Sequence, residues 1–361
     1  MLPRLDNPNA PAPSVEALVL GLMLGLGAVM IPPWARVASA YGSDFLVQMA
    51  GPLLLPALAF AWVLTCGGLD LSVWVLFYLG SVLTARLMLA GFGPAAALAA
   101  ATACGLAVGA LHAAAVRWGR LPSWGITGAV AILGVSAVAA LSGNGILKLD
   151  NERLNSWPAA DNPLLLVGAF YAIAMIAGIS LSRRLEQAPK PSQLAVGLVV
   201  SAVLSSWGGM CWTVKEGLTP QPGHLLGDLR VPVAALLTGA LVFRGPSRTL
   251  LAGVLCPTAL LLAGIWRERV PVWPMRIEQA NLALLVALLA GFSLAVRRLA
   301  AQRASPWPAM AMLTGIVVCG LAVWHRPPQP LSPFLIAGLA IFVLALAAMI
   351  RAALRPRPGD T

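Results

Sequence analysis

The sequence predicts an all-α, polytopic transmembrane bundle of about 10–12 helices, one or two of them broken. Three observations predict it. Of 361 residues, 59% are hydrophobic and only 10% charged, whereas a soluble domain carries about 25% charged residues. The apolar residues fall in blocks of about 20, the length that crosses a hydrocarbon core. No polar stretch approaches the roughly 50 residues that the smallest soluble domain needs.

Residues 1–14 form a flexible tail rich in proline and asparagine. The run 15–31 is followed by Ala38-Ser39-Ala40, as in a secretion signal, but a single cation, Arg4, precedes it. It is therefore read as the first crossing. Further apolar runs lie at 46–66, 70–90, 94–116, 124–142, 163–182, 193–212, 231–243, 249–266, 279–296, 307–324 and 331–350. The run 231–243 is too short for an upright crossing and reads as a half-helix or re-entrant piece, which needs protein around it.

Charge orients these runs. With the N-terminus in the cytosol and the runs alternating, the inner segments hold fourteen cations and four acids. The outer segments hold nine cations and eight acids. The net charge of +11 is thus mostly a positive-inside signal, with both termini cytosolic, rather than a nucleic-acid surface. The partner it implies is a lipid bilayer with an anionic cytosolic surface.

The five cysteines (Cys66, Cys104, Cys211, Cys256 and Cys319) lie in or beside apolar runs and read as small core residues. No metal-ligand spacing, HExxH or GxxxxGK[ST] motif occurs, so neither a metal, a cofactor nor ATP bound by this chain is expected. Trp34, Trp118, Trp124, Trp157, Trp266, Trp273, Trp307 and Trp324 sit near run ends, as an interfacial belt would. Gly21/Gly25 and Gly105/Gly109 have helix-packing spacing and read as close contacts inside one bundle rather than a dimer face.

The candidate site is the polar break Gly67-Gly68-Leu69-Asp70-Leu71-Ser72 between two apolar runs. Gly-Gly ends a helix readily, and Asp70 or Ser72 can cap the next one. A carboxylate at bilayer depth costs roughly 2.5 kcal/mol or more, so it calls for a cap, a partner or a wet pathway. Capping alone, and capping with a pathway role for Gly67, Gly68, Asp70 and Ser72, both fit. His112 reads as a packed histidine, with a relay as the sharper alternative, and Arg86 as a snorkelling cation. Lys148, Asp150, Glu152 and Arg153 form one outer charged cluster, and Lys215, Glu216, His224, Asp228 and Arg230 a second.

These residues carry a resemblance. Gly67-Gly68-Leu69-Asp70-Leu71-Ser72-Val73 resembles the GG-I-D-L-S-V-G signature of permease subunits in ribose/branched-chain amino-acid type ABC transporters. Leu121-Pro122-Ser123-Trp124-Gly125-Ile126-Thr127 resembles that family's I-P-x-F-I-V-T segment, and Leu141-Ser142-Gly143-Asn144-Gly145 its L-T-G-G helix end. The likeness covers about residues 45–297. It divides the chain into the tail 1–14, a permease-like domain 15–297, and an additional helix pair with a basic tail, 298–361.

The resemblance implies a non-enzymatic transport subunit importing a monosaccharide or similar small polar solute. It also implies three partners: a cytosolic ATP-binding subunit, an extracytoplasmic solute-binding protein and a second permease subunit. The ATPase would press on the 183–192 loop, with Arg183, Arg184, Glu186 and Lys190. Three departures stand out. Trp74 replaces the closing glycine, His112-Ala113 stands where the family has Asn-Gly, and the 183–192 loop is short with two prolines. They leave room for a permease-derived scaffold or assembly subunit that no longer transports. A membrane transferase lacks a cluster of acids or histidines on a membrane face, and a proton-coupled carrier has one intramembrane acid to support it.

Overall fold

The structure is a computed structural model. It describes residues 51–150, 163–185, 190–220 and 230–238, with isolated positions elsewhere between 154 and 344. The tail 1–14, the run 15–31, Glu186 and most of the chain beyond 240 lie outside the described residues. The chain divides into two compact units, Ala38–Gly264 and a second made of Met1–Val37 with Ile265–Thr361. Every element below belongs to Ala38–Gly264.

Those elements are helical, with no strand among the described residues. After a 3-10 turn at Gly51–Leu53 come α1 (Leu54–Thr65), α2 (Val73–Leu89), α3 (Pro94–Arg117), α4 (Ser123–Ser142), α5 (Pro163–Leu185), α6 (Lys190–Glu216) and α7 (Arg230–Leu237). Three of them, α3, α4 and α6, are long and apolar enough to cross a membrane. Punctuation follows local chemistry. Pro94 opens α3, where its missing N–H is no loss. Gly143, at φ +65°, closes α4 in the left-handed conformation.

Helix α6 is the axis of this unit. Of its most apolar stretch, 67% is buried, against 22% for α3 and for α4. It packs against α1, α2, α3 and α5. Small residues on α6 and on the helices facing it permit this, because each brings a neighbouring backbone close. A Cβ on Gly105 of α3 would lie 2.6 Å from Val203 Cα, and one on Gly109 would lie 2.7 Å from Val199 Cα. The Gly105/Gly109 pair is therefore an internal contact. Gly80 of α2 lies against the Ser206 backbone, and Gly209 of α6 against the Phe77 carbonyl.

The contacts give the helix directions. Leu71 meets Thr127 and Arg86 meets Leu141, so α2 and α4 run parallel. Asp70 meets Ser201 and Ser81 meets Thr213, so α2 and α6 are parallel too. Cys66 lies by Gly197 and Pro56 by Gly208, so α1 opposes α6. Gly105 and Gly109 at Val203 and Val199 make α3 oppose it as well. Directions alternate along the chain, as the apolar runs predict. Arg117, Arg120, Arg184 and Lys190 consequently share one end, here termed the basic end. Lys148, Asp150, Lys215 and Glu216 share the other.

At that opposite end the two charged loops join. Leu149 N–H donates to the Gly217 carbonyl at 2.8 Å, and Thr219 N–H donates to the Leu147 carbonyl at 2.9 Å. Lys148 and Leu218 form the isolated bridge between them.

Several expectations are corrected. Trp157 is not interfacial: it is buried and its Nε1–H donates to Met88 Sδ at 3.1 Å. Trp118 and Trp124, in contrast, are exposed at the basic end. Arg86 does not simply snorkel. Its Nε donates to the Leu141 carbonyl at 2.5 Å, placing a cation on the α4 C-terminus, where the macrodipole favours it. Arg230, counted in the second outer charged cluster, is buried. The 183–192 segment is mostly not loop: α5 runs to Leu185 and α6 starts at Lys190, leaving only 186–189 between them.

A buried carboxylate at a helix break

The break between α1 and α2 is built in three steps. First, α1 closes in a Schellman motif: Gly67 N–H donates to Leu64 O and Gly68 N–H to Val63 O, each at 3.0 Å. Gly67 sits at φ +83°, which a side chain resists. Gly68 is closely surrounded: a Cβ there would displace the Leu194 side chain and lie 3.1 Å from Ser123 Oγ.

Second, the unwound backbone finds side-chain partners, as backbone N–H groups in a packed setting require. Leu69 N–H donates to Ser123 Oγ at 3.0 Å, and Leu71 N–H donates to Thr127 Oγ1 at 3.1 Å. Ser123 and Thr127 are one turn apart on α4 and so form a two-rung rail for the 69–71 strand of chain. Thr127 is itself held by donating to Ser123 O at 2.8 Å.

Third, Asp70 turns inward and is 1% exposed. Its Oδ1 accepts from Ser72 N–H at 2.9 Å and from Ser72 Oγ–H at 2.6 Å. Its Oδ2 accepts from Ser201 Oγ–H at 2.7 Å, across 131 residues of sequence. The carboxylate also stands at the positive end of α2. Charge-assisted hydrogen bonds contribute roughly 1.5–3 kcal/mol each, so three of them are of the size needed to offset a buried carboxylate. Capping is thus divided: Asp70 receives the α2 N-terminal N–H, while Ser72, which makes no cap bond, donates its hydroxyl to Asp70.

The break lies part-way along the bundle rather than at its end, with Asp70 and Ser72 buried and Gly67 and Leu71 exposed. Cys66 sits level with Gly197, seven residues or about 10 Å along α6 from Lys190. Helices α1 and α2, at 12 and 17 residues, are about 18 and 25 Å long, short of a core of about 30 Å. The break occupies the depth that the two helices leave.

From Asp70 a line of small polar groups runs along the α2–α6 contact. Ser201, Ser205, Ser206 and Thr213 of α6 are all buried, and Ser81 of α2 lies 2.5 Å from Thr213 across the contact. Ser205 Oγ, Ser206 Oγ and both ring nitrogens of His112 are buried without a partner among the described residues.

The structure brings Gly67, Gly68, Asp70 and Ser72 into one element. It places Arg184 and Lys190 exposed at neighbouring helix ends; Arg183 lies in the last turn of α5, and Glu186 falls outside the described residues. Ser123, Thr127 and Ser201 were missed as site residues. Ser123 and Thr127 had a signal, their i, i+4 spacing at a helix start after Pro122. Ser201 had none beyond being polar in an apolar run. Among the described residues no group of histidine, cysteine or acidic side chains could hold a metal ion. The arrangement is suited to holding a helix break shut and to binding small polar groups.

Compared with known families, curated proteins and solved structures, the chain has no match. The likeness to ABC permeases therefore rests on the motif residues quoted above.

Proposed function

We propose that this chain is the membrane-spanning permease subunit of an ABC-type transporter. It would import a monosaccharide or similar small polar solute on energy from separate ATP-binding subunits. One observation carries the reading: the Gly67–Ser72 signature is a built element, closed by its own hydrogen bonds and clamped to α4 and α6 at membrane depth. A broken helix facing a polar interior is a common way to line a transport path, because its freed backbone ends can turn toward substrate. In this proposal the basic end faces the cytosol, both termini are cytosolic, and the chain crosses the inner membrane about twelve times. The ATPase meets the segment that joins α5 to α6, a solute-binding protein docks on the joined outer loops, and a second permease subunit completes the pathway.

A second reading is favoured by a specific observation. Asp70 is sealed, and the α5–α6 connection is only 186–189, a small handle for a coupling subunit. A permease-derived scaffold or assembly subunit would have both features. Affinity purification of the tagged chain in mild detergent separates the two. The permease reading expects a nucleotide-binding subunit in near-stoichiometric amount; its absence under conditions that keep other membrane complexes intact would sink that reading.

A further inference from the structure

The turn between α3 and α4 puts an arginine where helices usually place a glycine. Helix α3 closes with Trp118 N–H donating to Ala114 O at 2.9 Å and Leu121 N–H reaching back to Ala115 O at 3.1 Å. The longer bond is that of a Schellman closure, whose left-handed position glycine commonly fills. Here Arg120 fills it, at φ +53°, a conformation that side chains resist. Gly119 stands one residue earlier and does not take it. Among the described residues the only other side chain in that region belongs to Asn144, and asparagine tolerates it.

The surroundings of Arg120 are basic and apolar at once. Arg117, in the last turn of α3, is exposed as Arg120 is. Trp118 is 78% exposed and Trp124 61%, with Leu121 exposed between them. Both α3 and α4 are long and apolar enough to cross a membrane, and they join through this turn, so in a bilayer the turn lies at headgroup depth. Leu111 on α3 and Ile132 on α4 are exposed deeper in, where acyl chains can cover them. Arg184 and Lys190 add positive charge at the same end from α5 and α6. Among the described residues no acid stands at that end, since Asp70 is sealed within the break and Glu186 lies outside them.

We propose that the α3–α4 turn, from Arg117 to Trp124, binds the headgroup of an anionic phospholipid. The two guanidinium groups donate to the phosphate oxygens, which a planar fork matches better than an ammonium does. Trp118 and Trp124 sit beside it at the depth that indoles prefer, between water and acyl chain. Those two bare indoles are what favours a lipid over an acidic protein as the occupant. The strained backbone at Arg120 is the local cost of aiming a cation at the phosphate. The inference rests on the chain lying in a bilayer and not on whether it transports.

The test is native mass spectrometry of the full-length chain, purified in mild detergent and given equal amounts of dioleoylphosphatidylglycerol and dioleoylphosphatidylcholine. The wild-type chain is expected to retain phosphatidylglycerol preferentially. Arg120→Gly is expected to lower that preference about fivefold, the worth of one basic residue at an anionic surface. The same substitution should raise the melting temperature in phosphatidylcholine alone, because glycine relieves the left-handed backbone. Arg117→Gln should lower the preference by a similar factor, and Arg120→Lys by less. Lys148→Gln with Lys215→Gln, at the opposite end, should leave it unchanged. A purified chain with no preference for phosphatidylglycerol overturns the proposal and leaves the patch to a protein partner. A loss as large per charge from Arg184→Gln with Lys190→Gln also overturns it, since the basic end would then act as a diffuse field. Should Arg120→Gly fail to fold, Arg117→Gln, which leaves the backbone of the turn alone, decides it.

Discussion

Replacing Gly209 by leucine is expected to abolish the monodisperse protein. The first added carbon would fall on the Phe77 carbonyl, with Ser81 N also within reach. Both obstacles are backbone, so α2 and α6 must part along their length. Overpacking of a tight core costs about 1–3 kcal/mol when side chains can yield, and more where only backbone can move. Against a total stability of about 5–15 kcal/mol, that is decisive. The control is Gly168→Leu on α5, where nothing lies within 4 Å of the added carbon; it should leave the melting temperature unchanged or raise it, since leucine is the better helix former. Gly134→Ala makes an instructive intermediate. Its clash, at 2.5 Å, is with Val75 Cγ2, a side chain, so Val75→Ala should rescue it. No trimming of Phe77 should rescue Gly209→Leu. Thermal melts followed by size-exclusion fluorescence measure all four.

Asp70→Ala is expected to cost roughly 2–4 kcal/mol, because it leaves the Ser72 N–H without its acceptor and opens a small void. The two serine hydroxyls can turn to backbone carbonyls, which limits the loss. Asp70→Asn should cost only about 1 kcal/mol: one amide oxygen keeps the Ser72 bonds, and Ser201 can reverse its role and accept. A double-mutant cycle between Asp70→Asn and Ser201→Ala should show a coupling of about 1 kcal/mol or more. Additive effects would mean that the Asp70–Ser201 bond contributes nothing to holding the break on α6. Denaturant or thermal unfolding in one detergent reads each corner of the cycle.

The comparison of sequence with structure follows a physical division. Features set by neighbours along the chain were legible. The Gly67-Gly68 stop, the Pro94 start and the Gly143 finish depend on local dihedrals and caps, and α1 to α4 fall close to the apolar runs. Features set by tertiary register were not. Nothing local says that Ser201, rather than Ser205 or Ser206, meets Asp70; that choice follows from how α6 is rotated against α2. Nothing local distinguishes Trp157 from an interfacial tryptophan, because both sit at the end of an apolar run. The ends of α5 and α6 were misjudged for a different reason: Ser182 to Leu185 and Lys190 to Gln193 are polar but helical, and an apolar-run reading stops where hydropathy stops. Arg86 shows the same limit, since its partner, the α4 C-terminus, lies 55 residues away.

Small residues decide where this bundle can be tight. On α2, α3 and α6 they place α2 and α3 within backbone contact of α6, and the same closeness carries buried hydroxyls past one another without bulk between them. A contact of that kind can slide more easily than interlocked large side chains, which suits a helix pair that moves. It suits equally a rigid scaffold, and only motion separates the two.

The native Cys66 offers that measurement. It ends α1 beside the break, partly buried with its sulfur against Gly197. With Cys104, Cys211, Cys256 and Cys319 replaced by alanine, maleimide labelling of Cys66 in membrane vesicles reads the break alone. The permease account predicts slow labelling at rest and a rise of about tenfold or more when the co-purified ATPase is trapped with ATP and vanadate, as the break parts from α6. Labelling that stays at its resting rate in the trapped complex would contradict it.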